Sequence, residues 1–158
     1  MQFASVCVLN NNSQSVVDIE GYRRVGAPTE ISMKVLAEQI GNQFDPKDDP
    51  EGFEKSLVHK KEGILEFSSE RKLMSTVISG SPLFTESKNT ILIKGASERV
   101  LEACDSVRLA NGKTVPITQA EKDKIRAKLE KMASNALRVI GIAVNYTGGL
   151  LKDLNSEN

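Results

Sequence analysis

Histidine is almost missing from this chain of 158 residues: His59 is the single one, and Cys7 and Cys104 are the only cysteines. One histidine and two distant cysteines do not assemble a tetrahedral zinc site. Two buried thiols in a reducing compartment account for the cysteines, so no disulfide framework is predicted. A lone histidine with no nucleophile beside it argues against a Ser-His-Asp or Cys-His catalyst. Net charge is missing too: Lys+Arg and Asp+Glu both number 21. That balance argues against a broad nucleic-acid face and leaves room only for a local basic pocket. No apolar stretch approaches the ~18 residues that cross a membrane. The opening MQFASVCVLN lacks the basic region and long apolar run of a secretory signal, so the sequons at Asn11 and Asn145 read as chance matches. The motifs G-x-x-x-x-G-K-[ST], G-x-G-x-x-G and G-x-S-x-G are all absent, and with them the usual phosphate loop, dinucleotide turn and nucleophile elbow.

What is present is the material of one globular domain, 39% hydrophobic and 27% charged, without repeats or low-complexity segments. The β-forming runs Phe3–Leu9 and Ser15–Ile19 flank Asn10-Asn11-Asn12-Ser13 and predict a hairpin. Gly26-Ala27-Pro28-Thr29-Glu30 opens a helix whose apolar stripe is Ile31, Val35, Leu36 and Ile40, with Gly41 as its stop. The acidic stretch Asn42–Gly52, with Pro46 and Pro50, is a loop; Asp45, Asp48, Asp49 and Glu51 miss the alternating ligands of a calcium-binding EF-hand. A short helix over Phe53–Lys60 precedes strands at Gly63–Ser68 and Lys72–Ser79, joined by the turn Ser69-Glu70-Arg71. A strand at Thr90–Ile93 leads to a helix at Glu98–Cys104. Asn111-Gly112 between Val107–Leu109 and Thr114–Val115 signals a hairpin. Thr118 and Glu121 form a capping box for a helix carrying Ile125, Leu129, Met132 and Ala136 at helical spacing. A last strand spans Leu137–Val144. The predicted fold is α+β, a mainly antiparallel twisted sheet flanked by helices, with the domain at 1–147 and a polar tail at 148–158.

Three stretches carry candidate chemistry. In Ile93-Lys94-Gly95-Ala96-Ser97 the strand ends on Lys94, and Gly95 and Ala96 let a ligand approach the backbone closely. Ser97 is the expected N-cap of the next helix, whose first amides favour an anion. A plain strand-to-helix turn with an exposed lysine accounts for the same stretch. Phe67 shares a strand face with Leu65 beside Arg71-Lys72; an aromatic next to cations suits a purine above phosphates, although a strand phenylalanine is ordinarily core. Arg138, whose apolar neighbours on both sides are expected to be buried, needs an anion or carboxylate partner, and a structural role accounts for it equally. Glu30 reads by default as a favourable charge in the first turn of its helix.

Phe67-Ser68-Ser69-Glu70-Arg71-Lys72-Leu73-Met74-Ser75, then Lys94-Gly95-Ala96-Ser97-Glu98, then Leu137-Arg138 closely resemble, in order and spacing, the nucleotide-binding domain of type II P-type cation-transporting ATPases. Leu65-Glu66-Phe67-Ser68 is most like the calcium pumps of the sarco/endoplasmic reticulum, while Arg71-Lys72-Leu73-Met74-Ser75-Thr76-Val77-Ile78 is also similar to the plasma-membrane kind. Val25-Gly26-Ala27-Pro28-Thr29-Glu30 is similar to the segment that brings the family's glutamate to the nucleotide. The resemblance implies that Phe67 stacks on adenine and that Glu30 accepts from its amino group. Lys94 lines the pocket, with Gly95 and Ala96 shaping its wall. Lys72 and Arg138 reach towards the phosphates, with Met74 and Ile140 as apolar lining. The implied ligand is ATP with Mg2+, and the implied partners are the phosphorylation and actuator domains of one parent chain. Neither nucleic acid nor a further copy of the chain is expected as a partner.

The family's D-K-T-G-T aspartate, T-G-E loop and transmembrane helices are not in this sequence. The chain is therefore expected to be an excised domain, cut near Met1 and the polar tail, not itself inserted in a membrane and lacking the phosphate acceptor. Its expected place is the cytoplasmic face of a membrane, with the endoplasmic reticulum as the candidate. Two departures stand out: Ser97 replaces the family's proline, and Ser69 stands where reticulum pumps carry arginine. Ser69 is the one hint of an alternative, an interaction domain of the same fold that has lost nucleotide binding.

Overall fold

The computed structural model describes residues 2–41, 52–57 and 60–146. The acidic loop predicted over 42–52 lies outside them except for Gly52, as do His59 and the predicted tail. The described residues form an α+β fold in two compact units: 2–65, 75–92 and 144–146 in one, 66–74 and 93–143 in the other.

The first unit opens on helix α1 (Gln2–Leu9), where the β-formers had predicted a strand. Six of its eight residues, from Ala4 to Leu9, are buried. A helix enclosed on all sides has no polar stripe, so a short apolar run cannot be told from a strand by periodicity. It packs on α2 (Pro28–Gly41), which starts on Pro28 as predicted, and on α3 (Gly52–Ser56), shorter than expected. Each large apolar side chain of α1 buried this way contributes at most about 1.5–3 kcal/mol. Asn10 is not a hairpin turn; it closes α1 from inside the unit. Fully buried, it donates from Nδ2 to the Leu92 carbonyl at 3.1 Å and accepts at Oδ1 from Thr76 Oγ1 at 2.9 Å. The hairpin forms one step later, between β1 (Gln14–Asp18) and β2 (Gly21–Val25), paired antiparallel from Gln14↔Val25 to Asp18↔Gly21.

Strands β3 (Lys60–Leu65) and β4 (Leu73–Ser79) pair antiparallel, with a register shift between Lys61 and Gly63. Glu62 sits at that irregularity and accepts from Ser79 Oγ at 2.6 Å. This hydrogen bond, with Lys60 second, holds its carboxyl below the usual carboxylate range. The sheet order is β3-β4-β5-β8, with β5 at Asn89–Ala96 and β8 at Ile140–Asn145. Strand β5 is three residues longer at its end than predicted, because Lys94, Gly95 and Ala96 continue it.

The second unit holds the start of β4, the end of β5, the start of β8, and helices α4 (Ser97–Ala103) and α5 (Gln119–Ser134), which pack on each other. Between the helices, β6 (Ser106–Arg108) and β7 (Thr114–Pro116) form the predicted hairpin. Gly112 takes φ +83°, the left-handed position that closes such a turn. The capping box of α5 is complete: the Glu121 amide donates to Thr118 Oγ1 at 3.3 Å, and the Thr118 amide to Glu121 Oε2 at 2.8 Å. At its other end, Leu137 N–H donates to the Met132 carbonyl and Ala136 N–H to the Ala133 carbonyl, a Schellman motif with Ala136 at φ +57°. This motif delays β8 to Ile140, so 137–139 are not strand as predicted.

Candidate functional site

The segment Glu66–Leu73 is built around Ser68. Its carbonyl accepts the Lys72 amide at 2.7 Å and its Oγ accepts the Arg71 amide at 3.1 Å. The Arg71 guanidinium reaches back to the Glu66 carbonyl. These bonds turn the chain so that Lys72 adopts φ +56°, a conformation unusual for a side chain other than glycine. Its carbonyl then accepts the Ala96 amide at 3.0 Å. Gly95 lies directly beneath: a Cβ there would fall 2.1 Å from the Lys72 oxygen and 2.9 Å from the Leu73 Cα. Sequence reasoning made Gly95 small to admit a ligand, but its own chain already requires glycine.

Three of the predicted residues, Lys72, Gly95 and Ala96, are thus in direct contact. Phe67 corrects one expectation. It lies beyond the end of β3, outside any strand, and is 58% exposed, so it is an available aromatic face rather than core. Lys94 corrects another. It is inside β5 on the face shared with Thr90 and Leu92, and only 5% exposed, so neither the strand exit on Lys94 nor the exposed turn lysine holds. Met74 is buried beside this segment at 1% exposure. Ile140 opens β8, the neighbour of β5, half-buried. Arg138 is exposed in the link between α5 and β8, and its neighbour Leu137 is 58% exposed; the expected burial on both sides is not found.

Glu30 belongs to the first unit. There its carboxylate accepts the Asn12 amide at 3.0 Å and its carbonyl accepts Asn11 Nδ2 at 2.8 Å. Ser97 is not the N-cap of α4: the cap is Ala96, which makes no side-chain cap hydrogen bond, and Ser97 is the first helical residue. Proline is favoured at that first position. Sequence reasoning missed Ser68 and Arg71 as the pair that shapes the turn; a serine three residues ahead of the residue whose amide it caps was the available signal. No disulfide joins Cys7 and Cys104. Burial pushes the Cys104 thiol up, against a smaller opposing pull from Lys122, which makes it a poor nucleophile. Among the described residues no three His, Cys, Asp or Glu side chains cluster as a metal site, and no helix is long and apolar enough to cross a membrane.

Chemically, the segment offers an exposed ring with an exposed cation, Lys72, a few residues on, anchored to a strand that carries a buried lysine.

The family described as P-type ATPase, cytoplasmic domain N, matches residues 1–156. Among curated proteins, the chain is 29% identical over 173 residues to calcium-transporting ATPase 2, endoplasmic reticulum-type, of Arabidopsis thaliana, covering 98% of this chain and 16% of that protein. It is 29% identical to calcium-transporting ATPase 4, endoplasmic reticulum-type, of the same plant, covering 89% and 14%. A probable calcium-transporting ATPase of Trypanosoma brucei brucei is 31% identical over 160 residues, covering 92% and 15%. The chain thus spans about a sixth of the length of the curated relatives it matches.

Proposed function

We propose that this chain, which belongs to the family of P-type ATPase cytoplasmic N domains, is the nucleotide-binding part of a calcium pump: it holds ATP and presents the γ-phosphate to an aspartate in a separate phosphorylation domain. The observation that carries the reading is the segment Glu66–Leu73 anchored on Gly95–Ala96, which leaves Phe67 exposed on a shaped turn. The residues fit an adenine nucleotide. An exposed aromatic face takes a base by stacking, and the exposed Lys72 and Arg138 supply charge for phosphates. Lys94, Gly95, Ala96, Met74 and Ile140 form the remaining lining in this reading. Glu30 joins it through the resemblance alone, since its carboxylate is engaged with Asn12.

Magnesium would travel with the triphosphate, held by the phosphate oxygens and by groups of the phosphorylation domain. Bound ATP supplies the transferable phosphoryl group; the chain's own share is binding and orientation, the part of phosphoryl transfer that is positioning. The parent would also carry an actuator domain and membrane spans, place this domain on the cytoplasmic face of a membrane, the endoplasmic reticulum by analogy with the two plant relatives, and move calcium. In this reading the domain is 1–147 and the remainder a linker.

The test is to titrate MgATP into the isotopically labelled chain and follow amide chemical shifts. Saturable shifts around Phe67, Lys94 and Arg138 support the reading, and no shift at millimolar ATP removes it in favour of an interaction domain that has lost the nucleotide. Phe67→Ala should weaken ATP binding by about 1–3 kcal/mol, the worth of one stacked base; an unchanged affinity takes Phe67 out of the site.

A further inference from the structure

We infer that Ser68 and Arg71 are positioning residues for the base, holding Phe67 in place without touching the nucleotide; the inference rests on the nucleotide-binding reading of this segment. Phe67 lies outside any strand and is 58% exposed, so burial alone holds it only weakly. The backbone on either side of it is tied instead. Arg71 donates from its guanidinium to the carbonyl of Glu66, the residue before the ring. Ser68, the residue after it, takes the Arg71 and Lys72 amides on its hydroxyl and carbonyl. The loop is thereby closed on both sides of Phe67 by Arg71, whose guanidinium is turned back onto that carbonyl. Lys72 next to it is exposed, which divides the labour within the Arg71-Lys72 pair: the arginine orders the aromatic, and the lysine is the cation left for phosphate. Without the clamp, the segment would have to be ordered at the moment of binding, and that entropy would be taken from affinity for the base.

The two roles of an arginine separate on ligand fragments. Amide shifts and affinities are measured for the wild-type chain and for Arg71→Ala, Arg71→Lys and Ser68→Ala, each with ATP, adenosine and inorganic tripolyphosphate. Arg71→Ala is expected to weaken ATP and adenosine by the same factor, about tenfold if one residue's worth of ordering is shifted to the binding step, and to leave tripolyphosphate unchanged. Arg71→Lys keeps a donor for the Glu66 carbonyl and should recover part of that loss. Ser68→Ala removes one hydroxyl and should show the same split more weakly, which keeps the test available if Arg71→Ala does not fold. Loss for ATP and tripolyphosphate with adenosine unchanged would make Arg71 a phosphate contact and overturn the inference, as would unchanged affinity for all three. A wild-type chain that binds neither ATP nor adenosine would instead overturn the nucleotide reading beneath it.

Discussion

Adding one methyl group at Gly95 is the sharpest perturbation of the anchor between the Phe67-bearing turn and β5. The new Cβ would lie 2.1 Å from the Lys72 carbonyl oxygen, 2.8 Å from Leu73 Cδ2 and 2.9 Å from Leu73 Cα. The leucine methyl can swing aside, but the oxygen and the Cα are backbone. Relief therefore requires the turn to lift from the strand, which stretches the 3.0 Å hydrogen bond from the Ala96 amide to that same oxygen. Overpacking of this kind costs about 1–3 kcal/mol, and the weakened hydrogen bond about 0.5–1.5 kcal/mol. Alanine returns about 0.4–1 kcal/mol by restricting the unfolded chain. The balance is a loss of roughly 2–3 kcal/mol, or about 4–12 °C in melting temperature for a chain of this size. Urea unfolding of Gly95→Ala beside wild type reads the stability, and ATP titration of the folded fraction reads the site. The reasoning is refuted if Gly95→Ala unfolds within about 0.5 kcal/mol of wild type, because the close approach would then not exist.

Other positions offer independent checks. Ala136 sits at φ +57° at the end of α5, so Ala136→Gly should raise stability by about 1 kcal/mol by removing left-handed strain; a lowered denaturation midpoint contradicts the Schellman end. Ser97→Pro should stabilise by about 0.4–1 kcal/mol, because Ser97 is the first residue of α4 and Ala96, at φ −56° and ψ 124°, already has the backbone a residue before proline requires; thermal melting checks it. The carboxyl of Glu121 is held below the usual range chiefly by the Thr118 amide. A depressed folded pKa means the contribution is full above the ordinary carboxylate range and fades as the pH falls through the folded value. The stability gap between wild type and Glu121→Gln should accordingly close in acid, and a gap independent of pH would show that the capping box carries no charge effect.

The elements that were legible from the sequence are those whose signal is local. Thr118 and Glu121 announce a capping box, Asn111-Gly112 a hairpin and Pro28 the start of a helix, and each was found where expected. The apolar stripe expected on that helix was not, since Leu36 and Ile40 are exposed and its buried face is Met33, Lys34 and Ala37. Helix α1 was not legible, because Phe3–Leu9 is apolar on every side and only its enclosure by α2 and α3 decides between helix and strand. Lys94 misled for a similar reason: a lysine reads as an exit to solvent, yet it lies on the buried face of β5. The residues' own chemistry singled out Phe67, Lys72, Lys94, Gly95, Ala96, Arg138 and Glu30, and the family resemblance added Met74, Ile140 and a role for each. Gly95 shows what that route leaves out, since the demand for glycine comes from the Lys72 carbonyl, a contact across the fold that no motif encodes.

The central claim is that the turn carrying Phe67 receives the adenine ring. Intermolecular nuclear Overhauser effects between the base protons of bound MgATP and the ring protons of Phe67 test it most directly. Cross-peaks from the adenine H2 and H8 protons to the Phe67 ring are the predicted result. Their absence in a sample saturated with nucleotide, with cross-peaks to another aromatic such as Tyr22 or Phe84 instead, would contradict it.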